Sequence, residues 1–162
     1  MTKEAYDDVQ RWRTDLAINH ECYERLLPDG STQPVRAQAI EAGHMIRVHT
    51  DQRVPADRVM LRTHDASGSA FVRTDQLDGE TDWKQRHAVP SCQKLVSDEA
   101  LAAAVLTLGA GPPTREIYDF AGDVTLYDES FDGGCIQEPL VLENTLWANT
   151  VLASGTAIGL VV

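Results

Sequence analysis

The chain begins with one helix-period stretch and then turns to short, strand-like runs. Ala5, Val9, Trp12, Leu16 and Ile18 fall roughly on one face of residues 3–20, with charge elsewhere. That pattern predicts an amphipathic helix docked on a sheet. Asp7 and Asp8 early, and Arg11 and Arg13 later, suit the helix dipole. From Cys22 the runs shorten. Residues 22–27 lead into the turn Pro28-Asp29-Gly30, residues 32–38 return, and Gly43 breaks the pattern again. Residues 45–49 and 58–63 are predicted strands flanking 51–57, and 70–73 and 84–89 are two more. A second helix is predicted over 97–108. Ser97 is a credible cap, Asp98 and Glu99 fill the first turn, and Gly109-Ala110-Gly111-Pro112-Pro113 stops it. Residues 116–120 and 124–127 are predicted strands around the turn Ala121-Gly122-Asp123.

After Glu143 charge disappears, but Asn, Thr and Ser are too frequent there for a membrane span, and buried strands are expected instead. Gly155 and Gly159 make a GxxxG, which means association only on a helix in lipid. Many short strands, turn signals and two helices predict a mainly β fold with peripheral helices, a barrel or sandwich, as a single domain over 1–162.

Composition narrows the function. Hydrophobic residues make up 43% and charged residues 24%, so the chain is globular. Fourteen basic against twenty-five acidic residues give a formal charge of −11. Nucleic acid is therefore not an expected partner, nor is unaided adsorption to anionic lipid. Cys22, Cys92 and Cys135 are far apart with no CxxC pair, so neither a disulfide framework nor a zinc site is implied, and a reducing setting is expected. The N-terminus is too polar and acidic for a signal peptide. His20, His44, His49, His64 and His87 lack metal-binding spacing, and Ser67-Gly68-Ser69 has no nucleophile-elbow pattern. The acids of 128–134 lack the alternating oxygens of a calcium loop. Trp12, Trp83 and Trp147 are expected in the core or at domain contacts, with Trp83 the least certain of them.

One stretch concentrates chemistry. Thr74-Asp75-Gln76-Leu77-Asp78-Gly79-Glu80-Thr81-Asp82-Trp83-Lys84 follows a predicted strand and crowds Asp75, Asp78, Glu80 and Asp82 around one glycine. Asp-Gly is a turn signal, which places Glu80 at the tip of a protruding acidic loop. An ordinary solvated turn would look the same. The neighbouring acids disfavour ionisation of Glu80, while Arg73, Lys84 and Arg86 oppose that effect.

TDQLDGETDWK closely resembles the actuator-domain loop of P-type ATPases, and its Trp-Lys extension resembles the phospholipid-flippase (P4) branch. Val54-Pro55-Ala56-Asp57 resembles that domain's (V/I)PAD turn, with Pro55 and Asp57 in structural roles. The segment 117–128, IYDFAGDVTLYD, and the final strands resemble flippase segments too. The chain departs from the family at Gly43-His44 and Asp51-Gln52, where Gly-Asp is usual.

The resemblance implies a distorted jelly-roll actuator domain that is part of a larger membrane protein. It implies Glu80 as the catalytic residue, handling the water that hydrolyses an aspartyl phosphate. Asp78 would hold the turn, Gly79 would leave room at the phosphate site, and Thr81 would fix the loop or touch phosphate oxygens. No cofactor is expected in this domain; ATP and Mg2+ would serve the parent enzyme, since no DKTGT-like or P-loop motif occurs here. The partners implied are the phosphorylation and nucleotide domains and transmembrane helices of the same polypeptide, with phospholipid as transported substrate. The residues Asp82-Trp83 and the TDQL lead-in further suggest the branch acting without an accessory subunit at Golgi or endosomal membranes, this domain lying on their cytosolic face. Two alternatives stay open: the actuator of a cation-transporting P-type ATPase, and a free-standing acidic β-rich binding module.

Overall fold

The computed structural model describes residues 3–112, 114–129 and 131–162. Its strands form three sheets, every pairing antiparallel. The largest has six strands: β1 (Cys22–Leu26), β2 (Thr32–Arg36), β3 (Met45–His49), β4 (Arg58–Thr63), β10 (Thr145–Leu146) and β12 (Thr156–Val161). They lie in the order β10-β4-β12-β3-β1-β2. A second sheet orders β11 (Val151–Leu152), β5 (Ser69–Arg73) and β6 (Trp83–His87). A third orders β7 (Val105–Ala110), β8 (Gly122–Tyr127) and β9 (Cys135–Leu140). The sheets stay open, so the layered alternative forms and no barrel closes.

The central sheet is covered on both faces, which explains the almost unbroken burial of β4. Met60 packs with Ile46, Val48, Val72, Leu146 and Leu152 in one cluster. Its neighbours Val59 and Leu61 turn the other way, toward Val89, Leu101, Val124 and Leu140. Alternate side chains of one strand thus feed two cores. The turn before β4 is tied across the chain: Asp57 Oδ1 accepts a 2.7 Å hydrogen bond from the Ala148 backbone N–H.

Two features of β4 were invisible in its sequence. Arg62 joins Arg47 and His64 around one carboxylate, that of Asp98, at 2.9, 2.7 and 3.0 Å. Arg58 is fully buried with no such partner. Its Nε donates to the Ala56 carbonyl at 3.0 Å and its Nη1 to that of Ile46 at 3.4 Å, while Nη2 has no acceptor. Burial pushes the guanidinium down to about 10. Gly159 makes the room: a Cβ there would stand 2.7 Å from Arg58 Cδ.

Three expectations are corrected. The helix α1 (Lys3–His20) forms but buries no residue and meets the body chiefly at the 3-10 turn Ala37–Ala39, with Tyr6 and Trp12 exposed. The helix expected over 97–108 stops early. Ser97 does cap it, accepting from the Ala100 N–H, but the helix spans Asp98–Ala103, and Ala104 is extended. The chain then enters β7, whose inward Leu106 and Leu108 alternate with the β-branched Val105 and Thr107. The strand expected over 116–120 is absent; instead Gly122 opens β8 and pairs with Ala110. A Cβ on Gly122 would lie 2.4 Å from the Gly109 carbonyl, so this glycine serves close strand approach rather than a turn. Pro113, part of the expected helix stop, lies outside the described residues.

The tryptophans also differ from a core role. Trp12 and Trp83 are 61% and 59% exposed. Trp147 alone of the three is half-buried, edge-on to Phe120 at 5.7 Å.

Candidate functional site: the loop between β5 and β6

The β5–β6 pair ends with Arg73 opposite Trp83, so residues 74–82 form the connection at its tip. The short helix α2 (Asp75–Asp78) fills its first half. Thr74 is buried at its start but does not cap it by side chain. Its hydroxyl donates to Asp78 Oδ2 at 3.0 Å instead. Gly79 ends the turn at φ +75, its N–H donating to the Asp75 carbonyl. Nothing lies within 4 Å of a Cβ built on Gly79, so within this chain the glycine answers to backbone conformation, not to space.

Asp78 then clamps the next residue but one: its Oδ1 accepts the Glu80 backbone N–H at 2.9 Å. That bond, helped by those from Thr74 and Tyr118 and the charge of Lys84, holds the carboxyl below its usual range against burial, the second-largest influence. Tyr118, from a segment forty residues on, donates to Asp78 Oδ2 at 3.4 Å.

Glu80 has a fixed backbone and a free end. Its side chain is 51% exposed, and Oε2 accepts from Lys84 Nζ. Of the three basic residues expected to offset the acids, Lys84 is the one that bonds Glu80; that bond holds its ammonium above the ordinary lysine range. Arg73 lies 3.7 Å from Asp51. Arg86 is buried, and burial lowers its guanidinium most, with Glu143 and Asp78 opposing. Thr81 is exposed, and its hydroxyl has no hydrogen bond among the described residues. The structure therefore brings Asp78, Gly79 and Glu80 into one unit and leaves Thr81 beside it. Thr74 and Tyr118 escaped sequence reasoning. Thr74 stands where a cap would, and Tyr118 is distant in sequence with only its aromatic character as a signal.

Such a carboxylate, carried on a tip and paired among the described residues with one lysine, can orient a water and take its proton. Among the described residues no group of His, Cys, Asp and Glu could hold a metal ion. The cysteines are free thiols, and burial pushes Cys92 up to about 11. Among the described residues no helix is long and apolar enough to cross a membrane.

Comparison with known proteins bears on the family. No family model matches the chain. It is 46% identical over 162 residues to the Caenorhabditis elegans "Probable phospholipid-transporting ATPase tat-5", covering 100% of this chain and 15% of that protein. The human "Probable phospholipid-transporting ATPase IIB" is 43% identical, with 100% of this chain and 14% of the relative covered. The Saccharomyces cerevisiae "Phospholipid-transporting ATPase NEO1" is 42% identical over 154 residues, 95% of this chain and 12% of the relative. The chain therefore spans 12–15% of the length of these relatives. A solved zinc-transporting PIB-type ATPase in the E2.Pi state overlays 91% of this chain and 14% of its own at 16% identity and a TM-score of 0.49, too slight a likeness to argue from. With nearly all of this chain matched at this identity, the chain belongs to the phospholipid-transporting P-type ATPases as one part of such a protein, and its β-rich fold is consistent with their actuator domain.

Proposed function

We propose that this domain promotes hydrolysis of an aspartyl-phosphate intermediate in a parent phospholipid-translocating ATPase, with Glu80 as the catalytic residue. The observation that carries the reading is the half-exposed Glu80 carboxylate on a backbone locked by Asp78. When the loop enters the phosphorylation site, Glu80 accepts a proton from water as the water oxygen bonds to phosphorus. The acyl oxygen–phosphorus bond breaks, leaving the aspartate carboxylate and inorganic phosphate. Lys84 bonds Glu80 through Oε2. Gly79 lets the loop turn, and Thr81 is free to meet phosphate oxygens.

The parent uses ATP and Mg2+ to form the phosphoenzyme, and neither binds this domain. Docking on the phosphorylation and nucleotide domains turns the sheets as a body and pulls the connected transmembrane helices, moving phospholipid at a Golgi or endosomal membrane. The test is a chase of the labelled phosphoenzyme of the full-length transporter. Glu80→Gln slows dephosphorylation by on the order of 10²-fold or more and leaves formation of the phosphoenzyme intact. An unchanged decay rate removes Glu80 from the chemistry.

A further inference from the structure

The segment 114–121 carries no strand and instead straps together two turns of the fold: the Asp57 turn and the Glu80 loop. It is held on both sides of Tyr118. Trp147 Nε1 donates to the Ile117 carbonyl at 2.9 Å, and the Trp147 ring meets Phe120 edge-on at 5.7 Å. Trp147 is itself fixed, because its carbonyl accepts from both the N–H and the hydroxyl of Thr150, at 3.2 and 2.7 Å. The adjacent Ala148 N–H donates to Asp57. Tyr118 is 60% exposed and makes no burial of its own to hold it. Its hydroxyl nevertheless meets Asp78, the carboxylate that clamps Glu80. A lone exposed tyrosine would gain little from so long a bond; one anchored at both neighbours gives up less freedom to make it.

We infer that Tyr118 is a positioning residue for Glu80. It acts through Asp78, and Trp147 links the Asp57 turn to the loop by way of the strap. Its consequence for turnover rests on Glu80 being catalytic, whereas its consequence for loop order does not.

Two measurements on the full-length transporter separate these. The first is hydrogen exchange at amides 77–80. Tyr118→Phe keeps the ring and removes the O–H, and exchange there rises about 2- to 10-fold, the range of one modest hydrogen bond. Trp147→Phe, which keeps a ring against Phe120 but loses the N–H, raises it likewise. Tyr127→Phe, on the far sheet, leaves it unchanged. Unaltered exchange in Tyr118→Phe overturns the inference, and this exposed change decides the matter even where Trp147→Phe fails to fold. The second is phosphoenzyme decay, which Tyr118→Phe slows by about the same factor without changing phosphoenzyme formation. Looser exchange with unchanged decay in both Tyr118→Phe and Glu80→Gln leaves the positioning in place and overturns the catalytic reading instead.

Discussion

Asp98 and Asp78 both sit at an end of a short helix and both hold neighbours in place, yet they do different work. The Asp98 side chain is 13% exposed and gathers Arg47, Arg62 and His64, which come from β3, β4 and the turn after β4. Asp78 faces solvent more openly and gathers local groups, Thr74 and the Glu80 N–H, together with the tip of Tyr118. Burial opposes the charge of Asp98 most strongly, and the bonds and charges of His64 and Arg47 outweigh it, so its carboxyl still lies below the usual range. For Asp78 the largest influence is favourable, the Glu80 N–H, and burial opposes it only in second place. One carboxylate joins elements that must not part; the other orders a loop that must travel.

The contrast is broken most forcefully at the buried member. Asp98→Ala leaves the largely buried Arg62 with no carboxylate among the described residues and Arg47 with Glu24 alone, and costs about 3 kcal/mol of stability, read from denaturant unfolding of this chain. The same pair of proteins carries a pH signature. A carboxyl held low in the folded state stabilises above its unfolded value near about pH 4. That contribution fades as pH falls through the lower folded value. Wild type therefore loses stability on acidification by more than Asp98→Ala does, and parallel curves would show that Asp98 joins nothing. The next effect is smaller. Gly79→Ala forces a side chain into the left-handed region and costs about 1 kcal/mol, visible as increased exchange confined to the loop. Equal loss of protection in the central sheet would show that the loop is not an independent unit.

Legibility followed the same division. The bounds of β3 and β4, and the acidic turn with Glu80 at its tip, could be read directly because alternation and Asp-Gly chemistry are local signals. The α1 stripe was equally plain, but a periodic face says which side is apolar and not whether this chain covers it. Residues 97–108 misled because Ala and Leu suit a helix, while the strand in their second half depends on β8 across the sheet. Asp98 carried a helix-start signature, and its three partners come from segments more than thirty residues earlier in the chain. Tyr118 was hidden for the same reason: its partner lies forty residues back.

Arg58 and Gly159 constrain each other's future. The guanidinium stem occupies the place where any side chain at 159 would begin. The Val59 backbone carbonyl stands 2.9 Å from the same point, so position 159 stays closed even where Arg58 is shortened. Shortening or neutralising Arg58 is open at once and relieves an unanswered buried donor. Drift at this pair can therefore run through position 58 alone, and a strand crossing in the middle of the sheet works as a one-sided restraint on the sequence.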